Sequence, residues 1–213
     1  MSITHHPGEE LLLSYASGAA DEAVALLVAS HLTMCRTCRL TVRTAEAAGG
    51  AVLSSLPPAV MGDRAYESVL ARLDEPAARI VREANLNSEV PAPLQRYVGS
   101  DYGAIAWRPI ARGLSHLPLE TRGGTRARLY RAEPGAVIVP HTHRGDEWTL
   151  VLTGSYSDET GNYGPGDVQS ATPEIEHSPK ADPGPVCINL AVTNAPLVFR
   201  GIIPRIAGWV FGF

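Results

Sequence analysis

Apolar residues recur at steps of three and four in the first third of this chain, then in short runs cut by glycine and proline. Residues 8–73 are rich in Ala and Leu and lack β-branched alternation, which predicts helices. Residues 101–200 are dense in Gly and Pro with short Val/Ile/Leu/Tyr runs, which predicts an all-β unit. Between them, EPAARIVREANLNSEVPAPLQRYVGS is polar and carries three prolines, a linker with some local helix. The reading is multidomain α + β: a small helical bundle over 1–85, a linker over 86–100, an antiparallel β-barrel over 101–200 and a tail over 201–213.

Punctuation divides the helical part. A first helix spans Glu9 to about Ser17, after Pro7-Gly8 and before Gly18. A long second helix starts at the N-cap residue Asp21 and runs through Cys35 and Cys38. Gly49-Gly50 interrupt or weaken the helix beyond the cysteines, and Pro57-Pro58 force a break. A last helix covers Arg64 to Leu73. In the β part, strands are expected in RARLYRAE, AVIVP and EWTLVLTGSY.

Composition narrows the class. With 45% hydrophobic and 19% charged residues and a net charge of −4, the 213-residue chain is an ordinary globular sequence and not one that wraps nucleic acid. Three cysteines make no fully paired disulfide framework, and two of them have metal-pair spacing, which fits a reducing compartment. No secretory signal opens the chain, and the apolar ending LVFRGIIPRIAGWVFGF is broken by Arg200, Pro204 and Arg205, so no membrane span is expected. The expected location is the cytoplasm.

Placed on one helix, Val24, Leu27, Val28, His31, Cys35, Cys38 and Val42 form one stripe. His31, Cys35 and Cys38 then point three ligands at one ion, and thiolates with imidazole suit structural zinc. A fourth ligand must come from His5 or His6; His6 is preferred because it directly precedes Pro7-Gly8 at the entry to the first helix. The competing reading is a pair of core thiols beside a core histidine. A redox Cys-x2-Cys is disfavoured because no strand pattern precedes it.

These residues carry a resemblance. His6-Pro7-x-Glu9-Glu10-Leu11-Leu12, Tyr15, Gly18 and His31-x3-Cys35-x2-Cys38 resemble the zinc-binding anti-sigma family over roughly residues 1–85. The resemblance implies zinc on His6, His31, Cys35 and Cys38, and a helical domain that binds an extracytoplasmic-function type sigma factor in a 1:1 heterodimer. Two patterns fit a partner. Ala25, Leu26, Ala29 and Leu32 make the second helix apolar off its metal stripe, and Tyr66, Val69, Leu70 and Leu73 form a stripe on the last one. The alternative is that such stripes pack within the chain itself.

A second cluster has a different character. Gly135-x5-His141-x-His143-x3-Glu147-x6-Gly154 places two imidazoles on one side of a strand and a carboxylate at the start of the next. This resembles the first cupin motif at every position. Tyr163-Gly164-Pro165-Gly166-Asp167-Val168 and His177 resemble the second motif, with longer spacing and no following Asn. The resemblance implies a metal on His141, His143, Glu147 and His177. Such ligands accept zinc, manganese, iron, nickel or copper, and zinc is preferred here. Trp107, Trp148 and Trp209 read as packing residues, Cys187 as core with a redox role as the alternative, His116 as structural or exposed, and Glu174 and Glu176 as solvated, with support of His177 as the alternative.

An anti-sigma domain joined to a cupin resembles a type of anti-sigma factor that governs the bacterial response to singlet oxygen and related oxidants. The implied protein is not an enzyme and carries two zinc ions. It touches neither nucleic acid nor membrane. The rival is a cupin metalloenzyme, dioxygenase- or isomerase-like, with a helical regulatory cap.

Overall fold

The computed structural model describes residues 3–73 and 84–199. The helices are α1 (Glu9–Ala16), α2 (Glu22–Met34), α3 (Arg36–Ser55), α4 (Ala65–Leu73) and α5 (Ala92–Val98). The strands are β1 (Arg108–Ala111), β2 (Leu114–Leu119), β3 (Arg126–Ala132), β4 (His141–His143), β5 (Glu147–Thr153), β6 (Tyr156–Asp158), β7 (Gly161–Tyr163), β8 (Val168–Ala171), β9 (Lys180–Ala181), β10 (Cys187–Thr193) and β11 (Leu197–Phe199). The expected tail over 201–213, with Trp209, lies outside the described residues.

The expected β unit is antiparallel throughout, but it forms three sheets and not one closed ladder. Six strands run β1-β2-β3-β10-β5-β8, three run β7-β6-β9, and β11 pairs with β4. The expected strand AVIVP is irregular, touching its neighbour only by a bridge from Val137 to Lys180. Gly154 ends β5 at φ +64°; a Cβ there would sit 2.6 Å from the Val186 carbonyl oxygen, so the turn packs backbone on backbone.

The helical half corrects three expectations. The second helix does not run through the cysteines. Cys35 is extended (φ −103°, ψ 109°), ends α2 and caps α3, where its Sγ accepts from the Cys38 amide at 3.5 Å. The break lets two thiols and an imidazole converge without sharing one helix face, and it aims the positive end of α3 at sulfur. Gly49-Gly50 do not interrupt α3, which continues to Ser55. The second apolar face of α2 is not left open: Leu26 is buried, and α2 packs on α5 and β10 as well as on α1 and α3.

The apolar core is therefore continuous from Leu11, Leu27 and Val28 through Leu94 to Leu129, Leu150 and Leu190. Each such side chain contributes about 1.5–3 kcal/mol on burial, so the docking of helices on the sheet is a substantial part of the fold. Polar groups fasten the same seam. Asp21 stands at the N-cap of α2 but does not cap it; its Oδ2 accepts from the Gly124 and Thr125 amides at 2.9 and 3.2 Å. Glu22 accepts from the Arg122 amide, the Tyr97 hydroxyl and the Arg96 guanidinium at 2.7, 2.7 and 2.9 Å.

Candidate metal centres

The structure gathers His6, His31, Cys35 and Cys38 into one cluster, with one donor atom of each within 4.8 Å of all the others. His6 Nδ1 lies 3.5 Å from Cys35 Sγ and 3.4 Å from Cys38 Sγ. A tetrahedral zinc with bonds of about 2.05 Å to nitrogen and 2.3 Å to sulfur has an N···S edge of about 3.5 Å, so the spacing suits that ion. His5 is turned away: its ring lies beside Tyr163, 4.6 Å between centroids, and 3.7 Å from Asp167.

His31 has its tautomer fixed. Its Nδ1 donates to the Gly166 carbonyl at 2.8 Å, which leaves Nε2 as a lone pair. That Nε2 is buried and has no hydrogen-bond partner. Burial pulls the His31 pKa down to about 4, opposed by the bond to Gly166. Burial pushes the Cys38 thiol up to about 12, with Cys35 adding to the effect. A buried orphan lone pair beside two desolvated sulfurs fits a cation better than it fits a bare protein interior.

The second cluster is His141, His143 and His177. Strand β4 supplies the first two on one face. His141 and His177 exchange both backbone hydrogen bonds at 3.1 Å, which sets their rings side by side. His177 Nε2 lies 3.1 Å from both His141 Nε2 and His143 Nε2. His141 Nδ1 donates to the Val139 carbonyl at 3.0 Å, and His177 Nδ1 donates to Asp158 Oδ2 at 2.8 Å. Both Nε2 atoms then present lone pairs to each other, an arrangement that a shared cation relieves. Burial and the neighbouring His177 hold His141 down at about 3 and His143 at about 4, so neither is a proton carrier near neutrality.

Glu147 stands beside this cluster and not within it. Its Oε2 is 3.6 Å from His143 Nδ1, and its Oε1 accepts from Thr149 Oγ1 at 3.1 Å. Burial raises its pKa. The tie to Thr149, two residues on along β5, turns the carboxylate toward the δ edge of His143. That δ nitrogen is itself buried without a hydrogen bond.

Asp158 is the site residue that sequence reasoning missed. Burial would raise its pKa, but bonds from His177, Thr160 and Gln169 outweigh it and hold the carboxyl well below the usual range. It lies in the β6–β7 hairpin, outside both cupin motifs. Glu174 and Glu176, considered for the neighbourhood of His177, are exposed. His116 is buried opposite Tyr130 on β3, and Cys187 is buried at the start of β10.

A cupin-like sheet with a triple-histidine cluster, docked on helices with a His2Cys2 cluster, makes an architecture with two candidate metal centres. Residues 95–196 match the family model described as the ChrR cupin-like domain. The chain is 38% identical to the anti-sigma-E factor ChrR of Cereibacter sphaeroides over 206 residues, 97% of each protein. It is also similar to the crystal structure of Rhodobacter sphaeroides SigE in complex with the anti-sigma ChrR, with a TM-score of 0.81 and 38% identity over 90% of this chain and 100% of that one. The chain belongs to the ChrR family of anti-sigma factors, which are regulators and not enzymes. Among the described residues, no helix is long and apolar enough to cross a membrane.

Proposed function

We propose that this protein binds a sigma factor 1:1 in the cytoplasm, withholds it from RNA polymerase, and releases it under oxidative stress, singlet oxygen included. The observation that carries the reading is α4. Its stripe of Tyr66, Val69, Leu70 and Leu73 is 71%, 60%, 44% and 72% exposed, and no residue of α4 is buried. Nine residues are too few for an isolated helix to be stable in water, so this stripe needs a partner's apolar surface. Val52, Leu53, Leu56 and Met61 extend the exposed apolar surface toward α3, and a groove lined by Leu13, Gly49, Gly50 and Leu53 continues it onto α1. Among the described residues, neither the helical bundle nor the β unit covers this surface.

The two halves divide the work in this reading. Residues 1–85 are the sigma-binding unit, 86–100 the connection and 101–200 the sensing unit. Zinc on His6, His31, Cys35 and Cys38 ties the N-terminal segment, α2 and α3 into one inhibitory shape. A second metal, zinc by preference, sits at His141, His143 and His177, with Glu147 as its carboxylate neighbour. Release requires that the signalled state of the cupin bind the sigma-occluding conformation less well than the resting state does.

Two substitutions separate the roles. Cys38→Ser removes a thiolate from the helical centre, so sigma-dependent transcription becomes constitutive. His141→Ala leaves sigma bound and blunts induction by singlet oxygen. A Cys38→Ser protein that still inhibits, or a His141→Ala protein that no longer binds sigma, overturns the division.

A further inference from the structure

The helical His2Cys2 centre is not built by the helical half alone. The turn Gly164–Val168, which leads into β8, is bonded to one of its four donor residues, His31, and to His5, the residue before another. Asp167 Oδ1 accepts from the Thr4 and His5 amides, both at 2.8 Å, and Asp167 Oδ2 accepts from the Gly164 amide at 2.9 Å. The Val168 amide donates to the His5 carbonyl at 3.1 Å. The backbone immediately before His6 is thus fixed on both sides by the β unit. One residue earlier in the same turn, the Gly166 carbonyl takes the proton of His31 Nδ1 at 2.8 Å. Gly166 has φ +92°, and a Cβ there would stand 2.5 Å from Ile3 Cδ1, so the turn and the N-terminal segment are in close contact. Further along the same strand, Gln169 Nε2 donates to Asp158 Oδ2 at 2.6 Å, and Asp158 in turn orients His177.

We propose that Asp167 is a positioning residue for the His6/His31/Cys35/Cys38 centre, and that residues 164–169 link the two centres by holding the groups that orient ligands in both. The inference rests on the metal-binding reading of the helical cluster. The physical reason is that His6 lies on a segment, residues 3–8, with no helix or strand of its own, and such a segment is fixed only by the bonds it makes to its neighbours. Asp167 supplies the tie. Any movement of β8 is felt at once by Asp158 below and by His6 and His31 above, so the cupin and the inhibitory helices share one hinge line. No contact of the sigma factor with the cupin is needed for a change there to reach the helices.

The test uses the full-length chain, cobalt(II) as the probe and zinc as competitor. Thiolate-to-cobalt charge-transfer absorption reports the cysteine-bearing centre alone, because the triple-histidine cluster has no sulfur. In Asp167→Ala, zinc affinity at the cysteine centre falls about 10–100-fold, the range seen when a group that orients a ligand is removed. Amide exchange at Thr4 and His5 accelerates, and the triple-histidine centre keeps its metal. Asp167→Asn keeps the volume and one acceptor oxygen and gives a smaller drop in the same direction; it decides the matter if the alanine variant misfolds. Wild-type zinc affinity in a folded Asp167→Ala or Asp167→Asn protein overturns the proposal and leaves the metal reading standing. Absence of the charge-transfer band from the wild-type protein overturns the metal reading itself.

Discussion

His177 donates from Nδ1 to Asp158 Oδ2 at 2.8 Å, with the two side chains 1% and 0% exposed. The carboxylate fixes the ring's tautomer and makes Nε2 a better donor to metal. Asp158→Asn keeps the shape but weakens the acceptor, so metal affinity at the triple-histidine centre falls about 10–100-fold. Competition against a chromophoric chelator measures this, while the cysteine centre serves as the internal control.

The α4 stripe separates binding from stability. Leu70→Glu and Leu73→Glu replace exposed residues, so thermal unfolding stays within about 1 °C of wild type, as for surface changes. Affinity for the sigma factor falls about 30-fold or more in each variant, the loss expected at an interface anchor. Calorimetry reads both, by thermal scan for stability and by titration with the purified partner for affinity.

Gly154 tests the turn that closes β5. Ala there meets the Val186 carbonyl and the Cys187 Cα while holding a left-handed backbone. Strain and overpacking together cost about 2–4 kcal/mol. Chemical denaturation of Gly154→Ala should show the loss in the β unit, and a change under about 0.5 kcal/mol would count against the packing described.

Cys187 is an inert thiol in this structure. Burial pushes it up to about 11, well above an ordinary cysteine. At pH 8 its small thiolate fraction and its burial together slow alkylation at least about 100-fold relative to a free cysteine, and its rate is still climbing with pH where an exposed thiol has flattened. Mass spectrometry of iodoacetamide-treated native protein checks this. Rapid labelling near neutrality would mark a reactive site.

The ligand types were legible because short spacing and metal chemistry are local. His31-x3-Cys35-x2-Cys38 and His141-x-His143 keep successive donors two to four residues apart, close in space whether the chain there is helix, turn or strand. The break at Cys35 was not legible: a helical stripe fits the same spacing, and the turn out of the helix goes with the packing of α3 on α1, which the spacing does not encode. His6 was preferred from its place before Pro7-Gly8, whereas what engages His5 and the role of Asp158 depend on partners 162 and 19 residues away, Asp167 and His177. The open face expected on α2 is covered by α5 and β10, which leaves the α4 stripe, also expected, and the end of α3 as exposed apolar surface. Gly49-Gly50 survive inside α3 because neighbouring helical residues carry the cost of about 1 kcal/mol for each glycine.

The most direct test is native mass spectrometry of the tagged protein purified from its host under non-oxidising conditions. The expected result is one sigma factor per chain and two metal ions, with the sigma factor leaving after exposure to singlet oxygen. A chain that carries both metals but no sigma factor, and that binds none when one is supplied, would contradict it.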